Sequence, residues 1–392
     1  MNKTGQTIPD STQVERLLLE KVGTLPLFKD YPRLAGQLPH VSLGRFPTPV
    51  EKLEQVGNAI GLNHLYIKRD DLSGAVYGGN KVRKLEFLLG DALRRNAKEV
   101  ITFGFAGSNH ALATALYANQ LGLGSTSLLL PQVNAHYVRR NLLASHYFKA
   151  DLRFYKNWTM LGLGLFSQLL RRRVKRGKFP RVIPGGGSCP LGVCGYVNAA
   201  LELKEQIAAG ELPEPDFIYV PLGSMGTAVG LTLGLKAAGL KCRIIAVRVI
   251  EKRLANAKTM ARLFQDTASF LRKLDPAFPN LLLHEVDWTI RDDCLGSGYA
   301  RFTEKAMKAA SLMRERAGII LNGTYSAKAF SALLEDAEKQ VLKGKTVLFW
   351  NTYNSRDLSK FAAEVDYHQL PKAFHRYFED DVQALDRAGF DR

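Results

Sequence analysis

A chain of 392 residues with 46% apolar residues can form one large domain or two closely packed ones. Its net charge of +17 favours anionic partners but also fits a solvated basic surface. Four cysteines in such a chain exclude a disulfide framework, and the Cys189/Cys194 spacing, without a second pair, excludes a zinc knuckle. We expect no metal site, no transmembrane helix and no signal peptide, and a cytoplasmic location.

In the first half of the chain, apolar periodicity predicts helices that alternate with strands. The predicted elements are a helix at 11–24, a proline-stiffened turn at 43–53 before a helix that Gly61 ends, a strand at 65–68, a helix from Lys81, a strand at 100–103, a helix to about Leu121 and a strand at 125–130. Such alternation is typical of a parallel sheet flanked by helices. We therefore predict the α/β class.

An apolar run at 158–170 is followed directly by the basic run 171–178. The apolar run is too short to span a bilayer. A helix of this composition can lie on a membrane surface, or it can dock on the protein core and leave its basic end in water. We favour docking on the core, and we expect neither membrane association nor specific binding to nucleic acid.

The second half of the chain repeats the alternating pattern. The clearest elements are helices at about 196–209, 228–238, 303–317 and 327–341 and strands at 217–220, 243–250 and 346–350. The stretch 217–250 reads as a βαβ unit. Residues 251–288 are predicted to be mostly helical, and the segment after Ser359 has no interpretable pattern.

The stretch 76–89 carries the strongest local signal for chemistry. Gly78 and Gly79 permit a tight turn, and Asn80 can cap the amphipathic helix that begins at Lys81. The helix dipole disfavours a positive charge at this end. Lys81 can therefore shift towards the neutral amine and attack a carbonyl carbon. An ordinary surface lysine beside a helix start is the alternative interpretation.

Two further turns lead from a predicted strand into a predicted helix. In Gly223–Thr227, backbone N–H groups and two hydroxyls could bind a phosphate. This stretch is neither a Walker loop nor a dinucleotide fingerprint, because the required spacing is missing. The second turn, Gly104–His110, contains Ser108 and Asn109, either of which could be a simple helix cap.

These three features together meet the needs of pyridoxal phosphate better than any one of them does alone. A lysine can bind the cofactor's aldehyde covalently, and a separate cup can bind its phosphate. The Ser-Asn-His turn can bind a substrate carboxylate and the cofactor's ring hydroxyl. We therefore predict pyridoxal 5'-phosphate as the cofactor.

Several motifs resemble the D-cysteine desulfhydrase and 1-aminocyclopropane-1-carboxylate deaminase family, over about residues 40–355. The motifs are Phe46–Pro49, Lys68–Asp71, Gly78–Glu86, Gly107–His110, Gly187–Gly192 and Thr324–Lys328. The resemblance implies the two-domain fold of type II pyridoxal-phosphate enzymes, which is like that of the tryptophan synthase β subunit. A smaller domain, 86–199, would be inserted in a larger one, 1–85 and 200–392, with the cofactor in the cleft between them. It also implies a small amino acid as substrate, and we expect a homodimer.

The resemblance assigns roles to individual residues. Cofactor binding falls on Lys81, Asn80, Lys84, Asn109, Gly223, Ser224, Met225, Gly226, Thr227, Ser326 and Thr352. Substrate binding falls on Ser108, Asn109, His110 and Tyr325, and catalysis falls on Lys81, Ser108, Tyr299 and Tyr325.

Two positions distinguish the subfamilies. The deaminases carry a glutamate where this chain has Ser326 and a leucine where it has Thr352, a position at which the desulfhydrases carry threonine. A hydroxyl beside the ring nitrogen stabilises the protonated ring less than a carboxylate does. This favours D-cysteine desulfhydrase-type β-elimination, which gives pyruvate, ammonia and sulfide. Deamination of the cyclopropane acid, racemisation and β-replacement stay open as alternatives.

Three stretches depart from the family pattern. The last loop, usually His-Thr-Gly-Gly, reads Asn351–Asn354 with Tyr353 in it, Met225 replaces a glycine, and 151–178 is longer and more basic. We expect Tyr353 to narrow the substrate pocket. These departures also leave open an alternative of another class, a non-catalytic relative that binds a polyanion or a membrane through its basic surface.

Overall fold

The structure is a computed structural model that describes residues 25–282 and 288–387. The helix expected at 11–24 lies outside the described residues. The strands are β1 (Val50–Lys52), β2 (Leu65–Lys68), β3 (Glu99–Phe105), β4 (Gly124–Leu130), β5 (Ala150–Phe154), β6 (Arg181–Ile183), β7 (Phe217–Leu222), β8 (Arg243–Arg248), β9 (Trp288–Arg291) and β10 (Val347–Trp350). The helices are α1 (Pro26–Asp30), α2 (Arg33–Gln37), α3 (Glu54–Ile60), α4 (Lys81–Arg94), α5 (Asn109–Gln120), α6 (His136–Tyr147), α7 (Trp158–Arg176), α8 (Pro190–Ala208), α9 (Gly226–Ala237), α10 (Ala257–Leu274), α11 (Glu304–Ala317), α12 (Ser326–Glu338), α13 (Ser359–Ala363) and α14 (Arg376–Glu379).

The strands form two sheets. The larger sheet has the order β1-β2-β10-β7-β8-β9, and its neighbouring strands are parallel except for β1 and β2. The smaller sheet has the order β5-β4-β3-β6 and is parallel throughout. Helices that cover a parallel sheet bury its strands on both faces, and all four residues of β10 are accordingly buried. The predicted α/β class with parallel sheets flanked by helices is confirmed.

The register of the larger sheet brings three turns together. Trp350 at the end of β10 pairs with Lys68 at the end of β2, and Phe349 pairs with Tyr219 of β7. Parallel strands place their carboxyl ends at the same edge, where α/β proteins bind ligands. The turn before Lys81, the Asn351–Asn354 loop and the Gly223–Thr227 turn therefore lie at one edge of the sheet.

The division into two domains stays a prediction. The strands of the smaller sheet lie within the predicted insertion, 86–199, and those of the larger sheet lie outside it. The predicted boundaries, however, fall inside α4 and α8, which pack closely against each other. A Cβ added at Gly195 of α8 would come within 2.1 Å of the Arg83 carbonyl oxygen of α4. Any boundary at these positions would cut through a packed helix pair.

The segment after Ser359, which the sequence left without a structure, packs beside the smaller sheet. Leu370, Phe374 and Tyr377 belong to the same buried apolar cluster as Leu142 of α6. The backbone of this segment is held as well, because Arg139 Nε donates to the Tyr377 carbonyl oxygen at 2.7 Å. The end of the described chain therefore braces the smaller sheet.

A buried network of charged side chains fixes the start of α4. Arg83 donates to Asp70 at 2.8 Å and to Glu202 at 2.8 Å, and Lys68 donates to Glu202 at 2.6 Å. Trp350 Nε1 also donates to Asp70, at 2.8 Å. The network joins β2, α4, α8 and β10, so it ties the helix that begins with Lys81 to both of the neighbouring strands.

Candidate active site

A cavity of about 370 Å³ opens at the sheet edge where β2, β7 and β10 end. Most of the predicted site residues line this cavity. They are Asn80, Lys81, Ser108, Asn109, His110, Gly223, Ser224, Met225, Thr227, Tyr299, Tyr325 and Thr352. Lys84, Gly226 and Ser326 are not part of its wall.

Lys81 is the first residue of α4, and its side chain is held in the cavity wall. Gly79 before it has φ +90°, and a Cβ there would lie 2.9 Å from the Thr352 carbonyl oxygen, so the close turn requires glycine. Lys81 Nζ donates to Asn80 Oδ1 at 2.6 Å. Burial lowers the pKa of Lys81 from 10.5 to about 8. The fraction of the amine that is uncharged and nucleophilic near neutral pH is therefore far larger than for an ordinary lysine.

The Gly223–Thr227 turn and the preceding loop form a polar cup at the start of α9. Ser188 Oγ lies 2.8 Å from Ser224 Oγ and accepts from the Gly226 N–H at 3.2 Å. Asn80 Nδ2 donates to Thr227 Oγ1 at 3.0 Å, which links the cup to the Lys81 turn. Hydroxyl groups and a helix N-terminus in this arrangement suit an anion such as phosphate.

Lys84 lies behind this cup. Its Nζ donates to the Gly186 carbonyl oxygen at 3.1 Å and lies 3.4 Å from Ser188 Oγ. Burial, followed by the nearby charge of Lys81, holds the pKa of Lys84 well below its usual range. An anion bound in the cup would favour the charged ammonium of Lys84.

Met225 occupies a conformation that normally requires glycine. Its φ is +67°, in the left-handed region, and it immediately precedes α9. A side chain in this region costs about 1–2 kcal/mol. The family resemblance implies a glycine at this position, and backbone strain of this kind concentrates at functional sites.

The Ser108-Asn109-His110 turn forms the wall on the side of the smaller sheet. Ser108 Oγ accepts from the Ala111 N–H at 3.2 Å, so this residue caps α5 and also lines the cavity. Asn141 Nδ2 donates to Asn109 Oδ1 at 2.9 Å and fixes that side chain. Burial is the main reason that the pKa of His110 is held well below its usual range, and the positive charges of Lys81 and Lys84 lower it further. His110 is therefore neutral at physiological pH.

Tyr299 and Tyr325 form a hydrogen-bonded pair in the cavity wall. Their hydroxyls bond to each other, and their ring centroids lie 6.1 Å apart at a steep angle. Burial raises the pKa of Tyr325 to about 12 and that of Tyr299 well above its usual value. Both phenols are therefore protonated near neutral pH and can donate hydrogen bonds but cannot act as bases.

Of Thr352 and Ser326, the two positions that the resemblance links to the choice of subfamily, Thr352 alone reaches the cavity. Thr352 lies in the wall, and its carbonyl oxygen accepts from the Asn80 N–H at 3.0 Å. Ser326 is fully buried at the start of α12, and its Oγ accepts from the Asn322 N–H at 2.8 Å. The predicted contact between Ser326 and the cofactor ring stays a prediction.

Sequence reasoning missed the aromatic part of the wall. Phe103 and Phe105 at the end of β3 and Trp158 at the start of α7 line the cavity. The Phe105 ring centroid lies 4.5 Å from that of Tyr299 and 6.0 Å from that of Trp158. Alternating apolar residues in a strand predict burial in general, so nothing in the sequence assigned these rings to a site.

Ser188 was also missed as a member of the cup. It lies in the Gly-Gly-Gly-Ser stretch 185–188 and belongs to the Gly187–Gly192 motif, to which the sequence analysis assigned no binding role. Gly186 shows why small residues are needed here, since a Cβ on it would lie 2.1 Å from Ser224 Oγ. Three adjacent glycines allow the backbone to approach a ligand closely, so the serine that follows them could have been predicted to lie in the cup.

Comparison with known proteins agrees with this geometry. The family model of pyridoxal-phosphate dependent enzymes matches residues 41–352. The chain belongs to this family. A Pyrococcus horikoshii protein, provisionally named 1-aminocyclopropane-1-carboxylate deaminase, is 34% identical over 320 residues, which cover 81% of this chain and 93% of that protein. D-cysteine desulfhydrase of Klebsiella pneumoniae is 33% identical over 321 residues, covering 81% and 94%.

Solved structures show the same relationship. The crystal structure of a homologue of the cyclopropane acid deaminase has a TM-score of 0.70 at 31% identity, covering 88% of this chain and 99% of that one. Maize serine racemase, at 18% identity, has a TM-score of 0.54 and shows the shared fold alone. The expected resemblance, the type II fold and the dependence on pyridoxal phosphate are thus confirmed. The chain is a pyridoxal-phosphate dependent enzyme of the group that contains these lyases and deaminases.

Among the described residues, no helix has the length and apolar character needed to cross a membrane.

Proposed function

We propose that this enzyme is a lyase that eliminates the β-substituent of a small amino acid, with D-cysteine as the substrate and pyruvate, ammonia and sulfide as products. The observation that carries the proposal is the Lys81 amine in the cavity wall, with its pKa lowered to about 8. Thr352 in the same wall supports the desulfhydrase over the deaminase, since the deaminases carry leucine there.

The cavity fits the cofactor of the family. Lys81 would bind it covalently, and Ser188, Ser224, the start of α9 and Lys84 would hold its phosphate, because these groups already form an anion cup in which a Cβ at Gly186 would collide. When bound, pyridoxal phosphate supplies the electron sink for bond breaking at the substrate's Cα and Cβ. Asn109, fixed by Asn141, would face its ring hydroxyl.

The protein's own groups would supply binding and proton transfer. The Ser108 hydroxyl and the N-terminus of α5 would bind the substrate carboxylate. Lys81 would accept the proton from Cα, because a base with a pKa near 8 is well matched to neutral pH. Tyr325, which stays protonated, would donate a hydrogen bond to the departing sulfur as the Cβ–S bond breaks, and the sulfur would leave as hydrosulfide with the proton of the substrate thiol. The hydrogen bond from Tyr299 would hold that phenol in place.

A panel of D- and L-amino acids plus the cyclopropane acid tests the proposal. The cofactor-loaded enzyme should release sulfide, pyruvate and ammonia from D-cysteine, with a kcat/KM at least about tenfold above that for any other member. Ring opening of the cyclopropane acid without sulfide release from D-cysteine would instead assign the enzyme to the deaminases, as the Pyrococcus relative's name suggests. An absence of turnover with every amino acid would favour the non-catalytic alternative.

Tyr353 is predicted to limit the range of substrates. Its ring lies in the cavity wall, is 4% exposed, and has its hydroxyl bonded to Arg140 of α6. Volume in a closed wall is hard to relieve by relaxation, so Tyr353→Gly should admit amino acids with bulkier groups at Cβ. We expect their kcat/KM relative to D-cysteine to rise by about tenfold or more.

The matched control for this variant is Tyr353→Phe, which keeps the ring and removes the hydroxyl that accepts from Arg140. It should leave the substrate range unchanged. If Tyr353→Gly, with its cofactor bound, accepts the same amino acids as the wild type, the ring does not set specificity.

The homodimer and the cytoplasmic location stay predictions.

A further inference from the structure

Helix α7 docks on the protein core, as expected for the 158–178 stretch, but through only one of its two apolar faces. Its inner face does dock on the smaller sheet, where Leu161 packs against Leu128, and Arg172 pairs with Glu99 at 3.2 Å and Asp151 at 2.8 Å. The opposite face, however, is also apolar and faces solvent. Its members, with exposed fractions between 45% and 87%, are Met160, Leu163, Phe166, Leu170 and Val174.

These five side chains, here called the outer stripe, form one line along the helix. Their spacings of three or four residues keep them on a single face over about four turns. Phe179, just beyond the end of the helix, adds a ring that is 57% exposed. Isolated exposed apolar residues are normal on soluble proteins, but a contiguous stripe of this length marks an interaction surface.

The charges around the outer stripe are of one sign. Arg171 and Arg173 flank it on its two sides, and Lys175 and Lys178 follow, all of them exposed. No Asp or Glu occurs between Lys156 and Pro184. The helix therefore combines an apolar stripe with cationic borders and has no acidic group of its own to neutralise them.

We propose that α7 docks this protein on an anionic phospholipid surface. An amphipathic helix that lies in the membrane interface inserts its apolar face and places Lys and Arg beside the lipid head groups. The outer stripe and its basic borders have this arrangement, and the ion pairs of Arg172 hold the helix rigidly enough to present it. The proposal concerns peripheral docking and is independent of the reaction catalysed.

Two other occupants fit the surface less well. A second copy of the chain would bring the same segment, which has no acidic residue, against the cationic borders, so the arginines would gain no ion pairs. A nucleic acid would contact the cationic groups through phosphates, but it would leave Leu163, Phe166 and Val174 without an apolar partner. A lipid surface satisfies both the apolar and the charged parts at once.

Flotation of the cofactor-loaded protein with vesicles tests the proposal. It should bind vesicles of equal parts phosphatidylcholine and phosphatidylglycerol, and it should bind pure phosphatidylcholine at least about tenfold more weakly, since each basic residue near an anionic surface contributes about a fivefold change. Arg171→Glu with Lys175→Glu should then reduce binding by more than about 25-fold. The charge-matched control is Lys258→Glu with Lys308→Glu, which reverses two exposed helical lysines elsewhere on the protein. This variant should bind the anionic vesicles far better than Arg171→Glu with Lys175→Glu does.

A second pair of variants separates the lipid from the other occupants. Phe166→Ser with Leu170→Ser should lose at least about tenfold in vesicle binding, since each loses buried apolar area. Val341→Ser, at an exposed apolar residue on another part of the surface, should lose none. If only the charge variant lost binding, the surface would bind polyanions in general and the lipid assignment would be wrong. If Phe166→Ser with Leu170→Ser lowered the molecular mass measured by sedimentation, the outer stripe would be an interface between copies of the chain. Equal binding to neutral vesicles, or no binding, would also overturn the proposal.

Discussion

Lys81→Ala is expected to abolish the visible absorbance of bound cofactor and to reduce turnover of D-cysteine by more than about 10³-fold. The variant removes the amine that would bind the cofactor's aldehyde and accept the Cα proton, and burial has already shifted that amine towards its neutral form. The measurement is the absorbance spectrum of the purified protein after incubation with pyridoxal phosphate and gel filtration, followed by a sulfide assay.

A second buried lysine provides the matched control. Lys328 also has its pKa lowered to about 8 by burial, but it donates to the Leu295 carbonyl oxygen and does not line the cavity. Lys328→Met should therefore keep the cofactor absorbance. A Lys81→Ala protein that retained the absorbance, or a Lys328→Met protein that stayed folded yet lost it, would show that Lys81 has been given the wrong role.

Glu202→Gln should lower the free energy of unfolding by about 3–5 kcal/mol, because removing one partner leaves buried charges uncompensated. Glu202 is the shared partner of Arg83 and Lys68, and all three side chains are at most 3% exposed. Urea denaturation of the cofactor-loaded protein measures the change. Glu205→Gln is the control on the same helix, since the Glu205–Lys29 pair is about half exposed, and it should cost less than about 1 kcal/mol.

The same variant should change the acid sensitivity of the fold. Burial opposes ionisation of Glu202, but the charges of Arg83 and Lys68 outweigh it and lower its pKa from 4.5 to about 2. A carboxyl whose folded pKa is depressed stabilises the fold fully above its unfolded pKa, and this stability is lost as the pH falls from about 4.5 towards 2. Glu202→Gln should remove this part of the loss. Similar losses of stability in Glu202→Gln and Glu205→Gln would mean that the buried network does not stabilise the fold.

The parts of the site that were predictable depend on short-range patterns. Gly78, Gly79 and Lys81 are close in sequence, and so are the residues of the Gly223–Thr227 turn, so their turn chemistry and helix starts are visible without a fold. The α/β class was predictable for a similar reason, since period-two and period-3.6 patterns encode strands and helices locally. Four strands, β1, β5, β6 and β9, escaped prediction. β1 and β6 have only three residues each, too few for a pattern to be distinguished from a loop.

Other features depend on residues that meet only after folding. Arg83 and Glu202 lie 119 positions apart, so the sequence could not show that they neutralise each other in a buried network. The aromatic wall joins Phe105, Trp158 and Tyr299 from three separate elements. Ser326, which the resemblance links to the cofactor, accepts a hydrogen bond from the Asn322 N–H, a contact that its sequence neighbours did not indicate.

By itself, the sequence determined most of the order of helices and strands, the lysine turn, the polar turn before α9 and membership of the family, because each is encoded within a few consecutive residues. Only the tertiary structure decided which of these turns share one cavity and which face of α7 remains in water. The apolar residues of α7 occupy both of its faces, and composition cannot tell them apart. The inner face is chosen by the shape of the sheet and by Arg172 reaching Glu99 and Asp151. Such long-range contacts set the pKa of Lys81 as well, since burial, the cause of its shift, comes from elements distant in the chain.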